Sequence, residues 1–213
     1  MHAKPGGGLF VLERAFSDSP EVRDLTGYNT CGKGRLQGKV LDGGFLAPDL
    51  SFDAKRILFC FTEAENIYPN WPEECEPHWT PESAFHIFAV NADGTGLVQL
   101  TDGPANDLHP CFLPNGRIVF ISERRGGFGR CHGRPVPSYT LHSMYDDGSD
   151  ITLLSAHETN EWNPSVDNAG MIVFTRWDYV DRGHNQAHHP WNCYPDGRDA
   201  RAIQGNWSSD ESS

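Results

Sequence analysis

Residues 160–178 read NEWNPSVDNAGMIVFTRWD. A short apolar strand, a turn and a second apolar strand follow one another, with charged and aromatic groups at each outer end. The turn Asp167-Asn168-Ala169-Gly170 uses residue types that tolerate positive φ. Residues 171–175 are rich in β-branched and aromatic side chains, which suits a buried strand. The same hairpin occurs twice upstream, as PDLSFDAKRILFCF at residues 48–61 and PCFLPNGRIVFIS at residues 110–122. Each copy starts with proline, turns at Asp53-Ala54, Asn115-Gly116 or Ala169-Gly170, and continues as a strand that reads as buried.

A second hairpin follows each first one. The three are FHIFAVNADGTGLVQL at 85–100, YTLHSMYDDGSDITLL at 139–154 and WNCYPDGRDARAI at 191–203. Asp93-Gly94, Asp147-Gly148 and Asp196-Gly197 join their strands, and Asp-Gly between alternating strands is a strong hairpin signal. The repeating unit is therefore two hairpins forming one four-stranded antiparallel sheet. The proline-to-proline spacings are 62 and 54 residues. Periods of this size built from four strands indicate propeller blades. The expected fold is all-β, a partial β-propeller over residues 34–207 with three four-stranded antiparallel blades near 48–101, 110–155 and 164–204. Residues 1–33 form an N-terminal segment in which 9–16 read as a short strand or one or two helical turns. Residues 34–41, GRLQGKVL, read as one exposed strand of a preceding blade, and 208–213 as a disordered tail.

The chain carries 22 glycines and 15 prolines, which favours turns over long helices. Its formal net charge of −12 argues against nucleic acid or an anionic membrane as partner, since phosphate binding needs clustered Lys and Arg. No apolar run approaches the roughly 20 residues that span a bilayer. The first residues, MHAKPGGGLFVLERAF, lack the long apolar core of a signal peptide. The six cysteines form neither a CxxC pair nor a CxxCH motif, so no covalent haem is expected. Cys60 and Cys111 lie in apolar strands and read as buried thiols. Cys75 and Cys131 lie in polar loops.

The pattern of residues 48–59 together with 91–101 resembles the TolB-type β-propeller repeat. The strings ISERRGGFGRCHGRPVPSYTLHSM and HETNEWNPSVDNAGMIVFTRWDYVDR are similar to large propeller proteins related to the propeller-bearing alpha subunit of hydrazine synthase. The third unit departs from the short repeat at Asp167-Asn168-Ala169-Gly170, and the haem motif of hydrazine synthase is absent. The resemblance implies a periplasmic or extracellular setting, for which the chain itself shows no signal peptide. Three blades do not close a ring. The remaining blades of a longer chain, or self-association, are the expected structural partners.

Propeller geometry gathers the blade connections and the long second-to-third-strand loops at one end of each blade. Asp107 and Glu161 both stand three residues before the strand proline, and His109 and Asn163 just before it. His157, Trp162, Trp177 and Asp178 lie on the same connections and loops. Two readings stand: a ring of ligands at the channel mouth, or caps that hydrogen-bond neighbouring blades. His184, His188 and His189 cluster in a segment that reads as a loop, and suit either a divalent metal or packed and solvent-facing roles. No nucleophile elbow, phosphate loop or dinucleotide fingerprint occurs. The expected function is a binding module for a protein or small polar ligand, within a larger exported protein. The alternative is a metal-dependent enzyme, lyase- or oxidoreductase-like, acting at the channel mouth.

Overall fold

The structure, a computed structural model, describes residues 6–64, 80–129, 137–158, 160–177 and 188–203. Fourteen strands and no helix occur among these residues. None of them therefore forms a helix long and apolar enough to cross a membrane. The described residues fall into two compact units, one drawn from residues up to 110 and the other mainly from 111 onward.

The three expected blades are present. The first is the sheet β3(Gly44–Leu50), β4(Arg56–Thr62), β5(His86–Asn91) and β6(Val98–Gln99). The second is β7(Asp107–Phe112), β8(Arg117–Ser122), β9(Thr140–Tyr145) and β10(Thr152–Leu153). The third is β11(Glu161–Val166), β12(Ile172–Trp177), β13(His188–Cys193) and β14(Arg201–Ala202). Strands neighbour one another in chain order within each sheet, and the assigned pairs are antiparallel. β13 starts at His188 rather than at Trp191, so the histidines expected in a loop open a strand.

One turn chemistry closes all three second hairpins. Gly94, Gly148 and Gly197 take φ of 90°, 88° and 83°. The Oδ1 atoms of Asp93, Asp147 and Asp196 accept from the backbone N–H two residues on, at 2.9, 2.8 and 3.1 Å. Aspartate supplies the local acceptor, and glycine takes the left-handed conformation without a Cβ penalty. The first hairpins place Ala54, Gly116 and Gly170 at φ of 58°, 81° and 80°.

In the first unit, blade one presents Ile57, Phe59, Phe61, Phe88 and Val90 to a cover built from the N-terminal segment. Four phenylalanine rings interlock there, with Phe45–Phe61 centroids at 5.0 Å and Phe61–Phe88 at 5.4 Å. β1(Phe10–Glu13) and β2(Glu21–Asp24) form a two-stranded antiparallel sheet. Leu25, Cys31, Leu36 and Leu41 complete the core. Residues 34–41 do not form the exposed strand their alternation suggests. Gly34 and Gly38 turn the chain at φ of 98° and 81°, which breaks the period of two and buries Leu36 and Leu41. Each fully buried large apolar side chain contributes about 1.5–3 kcal/mol.

The shared left-handed turns generate a paired expectation. Gly148→Ala forces a Cβ into positive φ and should lower stability by about 1 kcal/mol or more. Ala54→Gly relieves the same strain in an exposed turn and should raise stability by up to about 1 kcal/mol. Urea denaturation of the two variants checks the opposite signs.

Candidate functional site

Innermost strands start, and second strands end, at the same end of each blade. Asp107 and His109 occupy this end in β7, as do Glu161, Trp162 and Trp177 in the third blade. The side chains there divide into those that hold strands together and those that do not.

Asn106 and Asn160 belong to the first group. The Oδ1 of Asn160 accepts from the Tyr139 N–H at 2.7 Å, while the Glu161 N–H donates to the Tyr139 carbonyl at 2.8 Å. Asn106 and Asp107 make the same bracket on Phe85, at 2.8 Å for each bond. Glu161 is fully buried. Its Oε2 accepts from the Leu141 N–H at 2.8 Å. Its Oε1 accepts from Ser155 Oγ at 2.8 Å and from Arg176 Nε and Nη2 at 3.0 and 2.7 Å. The Arg176 guanidinium lies 4.4 Å over the Trp191 ring. Of the two readings open for Glu161, its packing follows the one that locks blades. The bracketing asparagines and Arg176 escaped the sequence reading, although Asn-(Asp/Glu) recurs four and three residues before the strand proline.

The first unit has a second charged hub. Arg35, from the N-terminal segment, reaches Glu63 Oε2 at 2.5 Å, Asp102 Oδ1 at 3.2 Å and the Pro81 carbonyl at 2.9 Å. His86 is 1% exposed, and its Nε2 lies 2.7 Å from that same carbonyl. A carbonyl can only accept, so Nε2 carries the hydrogen. Burial pushes the His86 pKa below its ordinary value, because the charged ring is poorly solvated there. Arg35 and His86 carry no motif, and only the fold brings them together.

The residue just before each strand proline adopts positive φ: Ala47 at 52°, His109 at 52° and Asn163 at 49°. The strand register skips at this point in β3 and β11, which marks a bulge. Bulges leave a residue unpaired and re-aim its side chain. Asn163 is exposed and His109 half-buried. The Nδ1 of His109 is enclosed without a hydrogen-bond partner among the described residues. Burial lowers the pKa of this imidazole too, so it is neutral near pH 7. The adjacent Cys60 thiol is fully enclosed, and burial raises its pKa, which makes it a poor nucleophile.

In the third blade Trp162, Trp177 and His188 come together. The His188 ring lies 5.6 Å from Trp177, nearly parallel at 8°, and 5.5 Å from Trp162. His189 pairs with Arg176 across the sheet, and successive strand residues project to opposite faces. His188 and His189 therefore project to opposite faces of the sheet. His157 is half-buried on the connection after β10, where its N–H lies 3.4 Å from Ser155 Oγ. Asp178 and His184 lie outside the described residues, as do Cys75 and Cys131. Among the described residues no group of three His, Cys, Asp or Glu side chains is placed to hold a metal.

No protein-family model and no curated protein matches the chain. Solved structures do. A putative TolB from Agrobacterium tumefaciens aligns over 92% of this chain and 60% of its own, with TM-score 0.55 and 18% identity. The fold is that of the TolB-type β-propellers. Hydrazine synthase from Kuenenia stuttgartiensis aligns over 88% of this chain and 27% of its own, with TM-score 0.62 and 16% identity. An oligogalacturonate lyase in complex with manganese aligns over 93% and 48%, with TM-score 0.58 and 12% identity. The chain thus spans less than two thirds of the length of each of these proteins.

Two predictions follow from the buried groups of this propeller. Arg176→Met strands the Glu161 carboxylate and should cost about 3–5 kcal/mol in denaturant unfolding. The double variant Arg176→Met, Glu161→Leu removes both charges and should recover most of that loss. The second concerns acid. His86 and His109 have folded-state pKa values below the ordinary 6.5, so below that pH the unfolded chain binds protons the folded chain refuses. Their contribution therefore destabilises as pH falls through 6.5 and is absent above it. Melting temperature should drop from about pH 7.5 to about pH 5.5, and less so in His86→Gln and His109→Asn.

Proposed function

We propose that this chain is a binding module that recognises a hydrogen-bonding ligand, a polypeptide or a small polar molecule, at the loop end of its blades. The observation that carries this reading is His109. A neutral imidazole sits at a left-handed backbone position, with an enclosed Nδ1 that no described group satisfies. A buried ring nitrogen without a partner costs about 1–3 kcal/mol, and a ligand group that hydrogen-bonds it recovers that cost. Asn163 takes the same left-handed conformation in the third blade and is exposed at that blade's own loop end. Glu161 is committed to Arg176, Ser155 and Leu141, so it serves the scaffold under this reading. We assign the module to a larger exported protein, on the resemblance to TolB and hydrazine synthase.

The test is a binding screen of the whole chain against arrayed peptides and neutral oligosaccharides, followed by calorimetry on the hits. His109→Ala should weaken the selected ligand at least about tenfold, the value of one well-placed hydrogen bond. Glu161→Gln should alter stability more than affinity. Elemental analysis of the purified chain separates this reading from a metal-dependent enzyme. A stoichiometric divalent ion, lost on His109→Ala or His188→Ala, would replace the binding module with the enzyme.

A further inference from the structure

The outer strands of the blades end their ladders differently. In the first unit the N-terminal segment runs along β6. The Gly32 N–H donates to the Leu97 carbonyl at 2.7 Å, and the Lys33 carbonyl accepts from the Gln99 N–H at 3.2 Å. Both β6 groups point away from β5, as the alternation of an antiparallel ladder requires. Leu97 and Gln99 are consequently 2% and 3% exposed. The approach is close, since a Cβ on Gly34 would lie 2.6 Å from that of Gln99. The buried Leu36 then donates its N–H to Gln99 Oε1 at 3.3 Å.

Ile151 and Leu153 hold the same two positions in the second blade. Thr152 pairs with Ser143 and Leu153 with His142, as Val98 pairs with Ala89 and Gln99 with Phe88. The Ile151 carbonyl and the Leu153 N–H therefore point outward from β9, and no described residue bonds either. Here the two residues are 37% and 42% exposed. β14 repeats the geometry without the chemistry, for Ala200 and Ala202 stand at these positions with Arg201 between them.

The cover on β6 shows what such an edge accepts. Residues 31–39, CGKGRLQGK, carry Lys33, Arg35 and Lys39 and no acidic residue. The turn that leads into β10 presents exposed Asp146, Asp147 and Asp150, of which Asp150 pairs with Arg117. Outward N–H and C=O groups on an edge strand are a template for another strand, and side-chain contacts and charge select which one adds. Independently of the loop-end reading above, we infer that β10 takes up an extended, basic, glycine-bearing segment of a partner protein. A partner N–H donates to the Ile151 carbonyl, and a partner carbonyl accepts from the Leu153 N–H. Glycine permits the close pass over Leu153, an apolar side chain covers Ile151, and lysine or arginine faces the acidic turn.

The probe is a peptide with the sequence of residues 30–41 carrying Cys31→Ser, titrated into the isotope-labelled whole chain. The Ile151, Thr152 and Leu153 amide shifts should move, and the affinity should fall as salt is raised. Leu153→Pro removes the donor and should weaken binding about tenfold. Asp146→Lys leaves the strand intact and should weaken it about threefold. A peptide with Lys33, Arg35 and Lys39 each changed to Glu should not bind. A Leu153 amide unmoved by millimolar peptide would overturn the inference. So would equal binding of the two peptides, or an affinity unchanged in both variants. Shifts confined to Gln99 and its neighbours would mean exchange with the chain's own cover, which overturns it too. A Leu153 shift that grows with protein concentration alone, alongside a sedimenting dimer, would give the edge to a second copy and overturn it as well.

Discussion

Each of the second and third innermost strands opens with an asparagine whose side chain caps a strand start in the blade before it. The bond from Tyr139 N–H to Asn160 Oδ1, together with that from Glu161 N–H to the Tyr139 carbonyl, fixes the offset between successive sheets. Sheets packed through apolar faces alone slide at little cost, because dispersion has no direction. A two-point backbone bracket has direction and a single register. In the third blade the Glu161–Arg176 pair adds charge to this lock, in a place where both groups are almost entirely removed from water. Such a pair is weak ground for extra stability but strong ground for a unique arrangement, since a misplaced register strands a charge.

The bracket constrains what the same end of the blade can do chemically. A carboxylate holding four donors cannot also act as a base or take an ion without releasing them. Asn106 and Asn160 are spent on backbone N–H groups in the same way. The next backbone irregularity in the strand is the bulge, and it is there that side chains are left over. Ala47, His109 and Asn163 share a backbone conformation but differ in chemistry. A position whose φ is held constant while its side chain varies serves recognition better than packing. Asparagine and histidine are enriched at positive φ, whereas alanine takes it at a cost. At His109 a left-handed backbone and an enclosed ring nitrogen without a described partner meet in one residue.

Much of the fold was legible because its signals are local. The Asp-Gly turns, the proline-led hairpins and the apolar second strands each depend on a few consecutive residues. They gave the three sheets with their order and nearly their limits. The errors came where a local pattern met a long-range partner. Residues 34–41 alternate like a strand, yet Gly34 and Gly38 bend them into a cover whose leucines are captured by the phenylalanines of blade one. β13 begins early because Trp177 and His188 pair, and nothing near His188 in sequence announces a strand. The candidate site was legible in position but not in role. Spacing placed Asp107, His109, Glu161 and Trp177 at one end of their blades. Whether a carboxylate there is free or spent depends on Arg176, fifteen residues away along the chain, and on Ser155 and Leu141.

The hub at Arg35 extends the same logic to a segment outside the repeats. Arg35 is held by Glu63, Asp102 and the Pro81 carbonyl, three groups that belong to the loop end of blade one. Its guanidinium therefore does for the N-terminal segment what the asparagine bracket does for a blade. It converts an apolar contact, the leucines over the phenylalanine cluster, into one with a defined orientation. His86 competes for the Pro81 carbonyl and lies 3.7 Å from Asp102, so its neutral form suits a site where Arg35 already supplies the positive charge. Burial, more than the nearby Arg35 charge, keeps the ring neutral. The segment that covers the blade and the histidine that begins its third strand are thus tied to one balance of charge. The low pKa of His86 follows from its burial, while Arg35, at the partly exposed rim, holds Glu63 and Asp102 beside it.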